Sequence, residues 1–556
     1  MYIIIMSYIF PLIDINCDKV NELSIRHLGT AKVYDSFVTV LLQQLITGKK
    51  MQHEIEIKLI VSNNIEETLK DLSEKQDVKL IEQQFALENI YFDTPDKKLR
   101  QWDMGMRIRV NGEHIEQTIK TAGEVIGGLH QRPEYNIDIQ SREPKLDLFP
   151  QQIWPKNTNL EQLSNEIAPL FATNFTRRGY MMVYPDGAVV EMVLDQGKII
   201  SGERDIDVCE VELELVKGKP ELIFELAQAL AQGSPMRFGV DSKAARGYML
   251  AKGVSHQVSE LTAVNLGRND TLEQAYIKAI NHGLAHWQRH IEVFIEQGTY
   301  QAIVEIRKAL SLIIKANDIY SDYFQDDQLK QLTKALFWLV EELAFIDSYQ
   351  RIEALLDNNG HKIKKLSTQE QVVELLATEQ ATMPNVANLI ELFNSSQHTA
   401  LVSRLMQWLF FKPWQQQPLP SLEKFQTKLL RKKAASLLDN DWTLIQQSLP
   451  IDSDMTYQDY LSQRFNLQHN LQVGLCVGEM FEESERLKFR APWLDIIYGI
   501  DQLLQFDPIK QLLRSAKLVD EEGTTKKWLA RKEESLLHAM EQSRKQALKL
   551  TPYWQE

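Results

Sequence analysis

Charged and apolar side chains alternate strictly in the segment from Glu54 to Leu59. Its charged members Glu54, Glu56 and Lys58 recur at every second residue. In a β-strand this period places the charged side chains on one face and the apolar side chains on the other. Two carboxylates and an amine are costly to bury as bare charges, but a divalent cation and an anion bound there would offset that cost. A solvent-facing strand of alternating charge is the other interpretation of this segment taken alone.

The same alternation recurs further along the chain. The predicted strands Met106–Val110 and His114–Lys120 are joined by an Asn-Gly hairpin turn, and the first of them carries Arg107 and Arg109 on one face. Other strands are predicted at Glu88–Asp93, Pro133–Ile139, Tyr180–Tyr184, Ala188–Leu194 and Val208–Val216. Several strands with one charged face are hard to explain as solvated surface. A sheet closed on itself would place those faces inside a polar tunnel and the apolar faces under helices.

From about residue 270 onward the apolar residues recur at three- and four-residue spacing, which is typical of helices. The predicted helical segments are Thr271–Glu296, Tyr300–Tyr320, Asp327–Asp347, Ser421–Gln447, Thr456–Phe481 and Lys526–Leu550. A chain of 556 residues is too long for one core. We therefore expect an α+β protein with four parts: an N-terminal extension of little fold at 1–50, a tunnel domain at 51–253, a linker at 254–269 and an all-α bundle at 270–556.

Composition narrows the function classes. The net charge of −14 predicts that the surface as a whole does not attract nucleic acid, so a polyanion site would have to be a local basic pocket. The apolar stretch at residues 1–10 is too short to span a bilayer, and we expect no membrane partner. The three cysteines lie far apart, which favours a reducing cytoplasm. Met51, directly before the charged strand, is the expected natural start.

The tunnel would combine two kinds of ligand. Hard oxygen donors on adjacent strands suit Mg²⁺ or Mn²⁺, and lysines and arginines on the facing walls suit phosphate. A site with both would hold a metal-complexed polyphosphate. Transfer of its terminal phosphoryl group to water needs mainly positioning and charge neutralisation.

Seven further motifs, in this order after the first strand, carry a resemblance to a known family. They are Met106–Arg109, Thr118–Gly123, Gly127–Glu134, Phe175–Arg178, Glu191–Gly197, Cys209–Glu214 and Ser242–Tyr248. Together with the ExExK pattern of the first strand, this segment of roughly 200 residues resembles the CYTH domain of the triphosphate tunnel metalloenzymes. The resemblance implies an eight-stranded antiparallel β-tunnel.

The resemblance also implies roles for individual residues. The implied ligands of a catalytic metal are Glu54, Glu56 and Glu214. The implied phosphate contacts are Lys58, Arg107, Arg109, Lys120, Arg177 and Lys243. The residues implied to hold a second metal or to orient the attacking water are Glu212, Glu210 and Asp195. The implied orienting carboxylates of the tunnel wall are Glu134 and Glu191. Arg178 is an alternative to Arg177, and Arg246 is expected either near the tunnel mouth or as a helix cap.

The helical half resembles a CHAD domain, the usual C-terminal partner of CYTH in bacterial inorganic triphosphatases. CHAD helices usually carry dense histidine and arginine suited to polyphosphate, whereas Ile303–Lys315 holds only three basic residues here. Polyphosphate binding and a structural or partner-docking role are both open for this half. The i, i+4, i+8 stripe of His282, His286 and His290 predicts anion contacts, metal ligation, or packing and surface positions.

The expected activity is metal-dependent hydrolysis of inorganic triphosphate to diphosphate and phosphate in the cytoplasm. One alternative is an activity on ATP like that of class IV adenylate cyclases, which use the same tunnel. The other is a non-catalytic adaptor that binds polyphosphate. Clustered carboxylates favour an enzyme over the adaptor, because binding of a polyanion alone does not need them.

Overall fold

The computed structural model describes residues 52–61, 65–76, 78–323, 327–416 and 420–555. The expectations for residues 1–50 and for a start at Met51 lie outside these ranges. The segment from His53 to the C-terminus forms one compact unit.

Antiparallel strands make up most of the described chain before residue 240. They are β1 (Gln52–Val61), β2 (Lys79–Asp93), β3 (Gly105–Asn111), β4 (His114–Lys120), β5 (Glu124–Ile126), β6 (Leu129–Asp138), β7 (Ala168–Val183), β8 (Val189–Ser201), β9 (Arg204–Lys217) and β10 (Met236–Phe238). Eight of them follow the order β1-β9-β8-β7-β2-β3-β4-β6, and pairing of β6 with β1 closes the ring. The Lys58 amide donates to the Gly128 carbonyl at 3.1 Å where the ring closes. The predicted eight-stranded antiparallel tunnel is confirmed.

The hairpin turns lie where turn residues predicted them. Gly112, between β3 and β4, has a φ of 60°, and Gly187, between β7 and β8, has a φ of 83°. Glycine adopts this left-handed region without a steric penalty. The Gly187 amide closes its turn by donating to the Tyr184 carbonyl at 3.0 Å.

Within the described ranges, five α-helices accompany the strands. They are α1 (Glu66–Gln76), α2 (Lys98–Gln101), α3 (Leu160–Glu166), α4 (Glu221–Gly233) and α5 (Lys243–Lys252). The apolar face of β1 is buried, since Ile57 and Leu59 are fully excluded from solvent in the same core as Phe224 of α4. The outside of the tunnel is therefore apolar and covered, as the alternation of β1 predicts, and the charged face points inward.

The second half is helical. Its helices are α6 (Leu272–Gln297), α7 (Tyr300–Tyr320), α8 (Asp327–Glu342), α9 (Phe345–Gly360), α10 (Gln369–Ala381), α11 (Val386–Phe393), α12 (Ser396–Phe411), α13 (Pro420–Thr427), α14 (Ala434–Ser448), α15 (Tyr457–Val477), α16 (Glu483–Leu504), α17 (Asp507–Arg514) and α18 (Thr524–Ala547). None of the helices in the described ranges is long and apolar enough to cross a membrane.

Two helices predicted as continuous are interrupted. The predicted helix Asp327–Asp347 divides into α8 and α9 at a turn near Ala344. Leu343 and Ile346, on either side of this turn, are both buried, so the helical spacing of apolar residues continues across the turn and does not reveal it. The predicted helix Ser421–Gln447 divides into α13 and α14.

The second break has a tertiary cause. The Leu430 amide donates to the Asp270 carbonyl at 2.9 Å, and the Leu272 amide donates to the Lys428 carbonyl at 3.0 Å. These bonds form a short antiparallel bridge between Thr271 and Leu429. Backbone groups that bond to a distant segment are not available to the helix ladder.

The segment 254–266 contains no helix or strand, as expected of a connection. It is nevertheless packed, since Val264 and His256 are buried and the Val264 amide donates to the Leu475 carbonyl at 2.9 Å. The domain boundaries at 253 and 270 stay a prediction, because strands and helices share one compact unit.

Candidate active site

The charged side chains of the tunnel come from alternate positions of adjacent strands. The register pairs Glu56 of β1 with Glu214 of β9, and Lys58 with Glu212. On the other side of β9, Glu214 lies opposite Glu191 of β8. Neighbouring strands lie about 4.8 Å apart, so Glu56, Glu214 and Glu191 form a row of carboxylates across three strands. Glu54 lies in β1, but its side chain is outside the described part of the structure.

A second acidic group lies further along the same strands. Carboxylate oxygens of Asp195, Glu210 and Glu212 all lie within 4.8 Å of one another, a spacing that one divalent cation could bridge. Asp195 and Glu210 are fully buried, and Glu212 is partly exposed. We call these three residues the acidic cluster. Of the side chains that the structure describes, it alone meets this spacing, and Glu56 and Glu214 are not part of it.

Two buried lysines neutralise the acidic cluster. Lys58 Nζ lies 2.8 Å from Glu210 Oε1 and 2.8 Å from Glu212 Oε1. Lys243 Nζ lies 2.7 Å from Asp195 Oδ2 and 2.9 Å from Glu212 Oε1, and it also bonds to Glu210. Each lysine therefore faces at least two carboxylates and has one ammonium with three protons to share among them.

Arg177 completes the network. It holds Asp195 through two parallel bonds, from Nε to Oδ1 at 2.8 Å and from Nη2 to Oδ2 at 2.7 Å, and Nη2 also donates to Glu212 Oε2 at 2.9 Å. Arg178 instead pairs with Glu66 of α1. Successive residues of a strand point to opposite faces, so Arg177 is the tunnel arginine and Arg178 is not.

Arg246 also reaches the acidic cluster. Its Nη1 donates to Glu210 Oε2 at 3.2 Å, and its Nη2 donates to the carbonyl of Asp207 on β9. Of the two expectations for Arg246, the position near the tunnel fits these contacts.

The cations hold the acidic cluster in its charged form. Burial by itself would raise the pKa of Glu212, but Lys243, Lys58 and Arg177 lower that pKa well below its usual range. The pKa values of Asp195 and Glu210 are lowered in the same way. For Lys58, burial opposes the charge, yet the surrounding glutamates raise its pKa well above the ordinary value. All of these groups are therefore ionised at neutral pH.

Glu56 differs from the acidic cluster. Burial and the nearby charge of Glu212 raise its pKa, and the nearest cation, Lys58 Nζ, is 3.9 Å from its Oε1. A buried carboxylate with too little positive charge around it is a good position for a divalent cation. The oxygen donors of Glu56 therefore fit Mg²⁺ or Mn²⁺.

The facing wall of the tunnel is mainly basic. Glu134 of β6 accepts from Arg107 Nη2 at 3.2 Å through Oε1, and pairs with Lys120 Nζ at 3.0 Å through Oε2. The predicted tunnel carboxylate Glu134 thus bonds to two predicted phosphate contacts, Arg107 of β3 and Lys120 of β4.

Arg109 is the exception on this wall. Its Nε donates to Asn89 Oδ1 at 2.8 Å, but within the described ranges it forms no ion pair. Burial, Arg107 and Arg177 lower its pKa to about 10, so it still carries its charge at neutral pH. A partly exposed guanidinium without a carboxylate is suited to a substrate oxyanion.

Three residues of the interior were not predicted. Asn89 holds Arg109 and donates from Nδ2 to Thr173 Oγ1 at 3.0 Å. The Phe175 ring lies below two cations, 5.2 Å from Lys243 Nζ and 5.8 Å from Arg177 Cζ. His130 shares the face of Glu134 on β6, is buried, and has a pKa lowered to about 3 by burial and nearby cations. His130 could have been predicted, because it lies four residues before Glu134 and so shares its face of β6. Asn89 and Phe175 are uncharged, so the charge alternation did not point to them.

The histidine stripe of α6 is used in packing. His286 Nε2 lies 3.1 Å from Glu305 Oε2. His290 Nδ1 donates to the His286 carbonyl at 2.8 Å, and its Nε2 accepts from the Ser259 amide at 3.2 Å. His282 Nε2 contacts the Thr262 carbonyl at 3.0 Å. The packing interpretation of these histidines accounts for their contacts.

Comparison with known proteins agrees with this geometry. Residues 52–248 match the model of the CYTH domain. The family resemblance drawn from the sequence is confirmed for this part of the chain. The match begins at β1 and ends within α5, so it contains every tunnel residue described above.

Individual relatives cover parts of the chain. The inorganic triphosphatase of Haemophilus influenzae is 36% identical over 201 residues, which are 36% of this chain and 55% of that protein. The chain thus aligns with about half the length of this curated relative. A Hippeastrum protein described as a candidate adenylyl cyclase with dominant triphosphatase activity is 18% identical, with a TM-score of 0.28 over 36% of this chain and 97% of its own. The CHAD domain of Ricinus communis is 12% identical, with a TM-score of 0.37 over 54% and 99%.

Proposed function

We propose that the protein hydrolyses inorganic triphosphate to diphosphate and phosphate inside the CYTH tunnel, with Mg²⁺ or Mn²⁺. The observation that carries the proposal is the interior itself, where buried carboxylates and buried cations line one closed ring. The named activity of the Haemophilus influenzae relative supports it over the matching 201 residues. Water supplies the oxygen that joins the terminal phosphorus, the P–O bond to the diphosphate breaks, and the diphosphate leaves.

The phosphate-binding groups would be the tunnel cations. Arg109 has no carboxylate partner among the residues described, so it can bind a phosphoryl oxygen without breaking an ion pair. Lys58 and Lys243 each bond to several carboxylates, so they can turn part of their bonding toward substrate. Arg107, Lys120 and Arg177 would extend this basic track, as the resemblance implied.

The metal would be held by carboxylates of β1, β8 and β9. Glu56 and Glu214, with Glu54, are the proposed ligands of the catalytic metal, and Glu191 lies beside them in register. A bound divalent cation neutralises the triphosphate and polarises its phosphoryl oxygens. A second cation at the acidic cluster fits the 4.8 Å spacing of its oxygens.

Glu212 is our preferred residue for orienting and deprotonating the attacking water. Both carboxylates are held by cations, but Asp195 is fully buried, whereas Glu212 is 16% exposed in the tunnel. Lys243 and Lys58 keep the pKa of Glu212 low, which makes it a weak base in this arrangement. When substrate phosphates draw these lysines away, the proton affinity of Glu212 rises as the water is activated.

The decisive experiment is phosphate release from triphosphate with Mg²⁺ or Mn²⁺, compared with release from thiamine triphosphate and ATP. Glu56→Ala or Glu214→Ala at full activity would defeat the metal assignment. Formation of cyclic AMP from ATP would favour the cyclase alternative, in which a ribose hydroxyl replaces water. A protein that binds triphosphate and turns over none of these substrates would favour the adaptor.

Polyphosphate binding by the helical half is a second candidate function. The three basic residues of Ile303–Lys315 are paired, and so is Arg464 of α15: Arg307 with Asp347 at 2.7 Å, Lys308 with Glu305 at 2.7 Å, Lys315 with Asp318 at 3.0 Å and Arg464 with Asp501 at 2.9 Å. These pairs support a structural role for the half.

Arg486 and Arg490 of α16 favour an anion site instead. Arg486 is 7% exposed, and its Nε and Nη1 have no partner in the described part of the chain. Burial and the charge of Arg486 lower the pKa of Arg490. Retention of the full-length protein on immobilised polyphosphate, lost in Arg486→Gln and kept in Arg464→Gln, would establish this site. Equal retention of both variants would exclude it.

We propose the cytoplasm as the compartment. Cys209 and Cys476 are both free thiols, as a reducing environment requires. Cys17 lies outside the described residues.

A further inference from the structure

One short segment reaches both lysines that neutralise the acidic cluster, Lys58 and Lys243. Residues 236–243, which we call the lead-in segment, run from β10 to the first residue of α5. The Gly239 amide donates to the Lys58 carbonyl at 3.0 Å, and a Cβ on Gly239 would lie 3.1 Å from Lys58 Cδ. The segment ends in Lys243, whose Nζ contacts the acidic cluster. Its position therefore sets the position of Lys243 directly and confines the stem of Lys58.

The lead-in segment is held by the first long helix of the helical half. Arg237 binds Glu292 of α6 through two parallel bonds, from Nε to Oε1 at 2.8 Å and from Nη2 to Oε2 at 2.9 Å. Glu296 lies four residues further along the same face of α6. It is the second anchor, and it reaches the lead-in segment through an intermediate.

The intermediate is His256. Its Nε2 lies 2.8 Å from Asp241 Oδ2, and its Nδ1 lies 2.6 Å from Glu296 Oε1. Its backbone amide donates to Glu296 Oε2 at 3.2 Å. Both ring nitrogens face carboxylate oxygens, so both donate and the ring is an imidazolium. His256 is 8% exposed, which shields these charge-assisted bonds from water.

Asp241 is two residues from the tunnel lysine. Between them, Ser242 caps α5 by accepting from the Ala245 amide at 3.1 Å. Release of Asp241 would loosen the start of α5 and with it the backbone of Lys243. A phosphate contact is sensitive to such a shift, because a hydrogen bond from the Lys243 ammonium weakens as its distance and angle to the phosphate oxygen change.

We propose that His256 is a positioning residue for triphosphate binding, which fixes Lys243 by tying Asp241 to Glu296 of the helical half. The inference rests on the proposed function and assigns to the helical half a part in it. His256 contacts no tunnel group itself, so it acts through Asp241. An ordinary structural contact between strands and helices would lower stability without changing substrate affinity.

The test compares His256→Gln with Arg464→Gln in the full-length protein. Glutamine keeps one hydrogen bond of His256 but cannot bridge two carboxylates as a cation. We expect the KM for triphosphate with Mg²⁺, and its Kd by calorimetry, to rise by about tenfold while kcat changes by less than about twofold. Arg464→Gln breaks an ion pair with Asp501 in the helical half and should leave both constants unchanged.

Two further variants separate positioning from folding. His256→Arg supplies another cation able to bridge Asp241 and Glu296, and it should restore most of the affinity. Asp241→Asn, at a partly exposed residue, should reproduce the rise in KM even if His256→Gln folds poorly. A His256→Gln or Asp241→Asn protein with unchanged KM and Kd would overturn the inference while leaving the triphosphatase assignment intact. Wild-type protein that binds triphosphate without hydrolysing it would overturn that assignment, and the Kd comparison would still decide the role of His256.

Discussion

In the acidic cluster of the tunnel each buried charge faces several partners, whereas ion pairs of the helical half such as Lys330–Asp327 and Lys488–Glu485 join one base to one acid. Glu212 is bonded to Lys58, Lys243 and Arg177. Arg464 and Asp501 form a single pair on the surface between α15 and α16. A charge with several partners can give up one of them to a ligand and stay compensated. A charge with one partner cannot, and this difference is the physical reason for which we propose the tunnel as the ligand-binding region.

The two walls of the tunnel differ as well. On the acidic side, the cations of β1 and α5 are bonded to carboxylates, whereas on the basic side Arg109 bonds to the Asn89 amide oxygen and to no carboxylate of the described residues. Substrate phosphates must therefore displace carboxylates from Lys58 and Lys243, whereas binding to Arg109 breaks no ion pair among the described residues. The following experiments test that distinction.

The largest effect is expected for Glu212→Gln. The glutamine is nearly the same size but cannot accept a proton, so kcat for triphosphate should fall by about a hundredfold or more, as for loss of a general base. The measurement is steady-state phosphate release with circular dichroism as the folding control. A kcat within about tenfold of wild type would assign the base elsewhere, with Asp195 the next residue to test.

Arg177 and Arg178 lie on opposite faces of β7, so their variants serve as test and control. Arg177→Gln removes two bonds to buried Asp195 and one tunnel cation, so kcat/KM should fall by about tenfold to a hundredfold and stability should fall too. Arg178→Gln removes only an outer pair with Glu66 and should change kcat/KM by less than about twofold. Equal losses in the two variants would contradict the assignment of faces.

Arg109→Gln should separate binding from stability. No carboxylate in the described ranges loses its partner, so the free energy of unfolding should be unchanged or higher by about 1 kcal/mol. The KM for triphosphate should nevertheless rise by about tenfold, because one phosphate contact is lost. Urea unfolding and steady-state kinetics measure the two quantities. A fall in stability with unchanged KM would show that Arg109 serves the fold.

The smallest effect is a pH dependence of stability at His256. Hydrogen bonds that His256 donates to Asp241 and Glu296 raise its pKa to about 10, above its value of about 6.5 in the unfolded chain. The stabilisation is therefore complete below about pH 6.5 and is lost as the pH rises toward about 10. Arg289 and Arg246 are the other charges near Asp241.

The measurement is the difference in unfolding free energy between wild type and His256→Gln, from urea titrations across this pH range. The difference should shrink as the pH rises through the window. A constant difference would show that His256 is not held as an imidazolium.

Much of the tunnel was predictable because the face on which a strand residue lies depends only on its position relative to neighbouring residues in the sequence. A period of two fixes which residues share a face, so Glu56 with Lys58 and Arg107 with Arg109 could be grouped from sequence. The same rule did not choose between Arg177 and Arg178, because the predicted strand began at Tyr180 and β7 in fact begins at Ala168. Only the register with β8, which sets Arg177 opposite Asp195, assigns the inner face.

The sequence by itself determined the α+β class, the alternating faces of the strands and the set of charges available to the tunnel, since these follow from periodicity and residue type. The tertiary structure decided which charges meet. Lys58 bonds to Glu210, which lies 152 positions away in the sequence. His256 joins Asp241 to Glu296 from a segment whose apolar residues follow neither helical nor strand spacing. Such contacts arise only when the ring closes and α6 lies against the lead-in segment, because their geometry depends on the packing of distant elements and not on the pattern within any one of them.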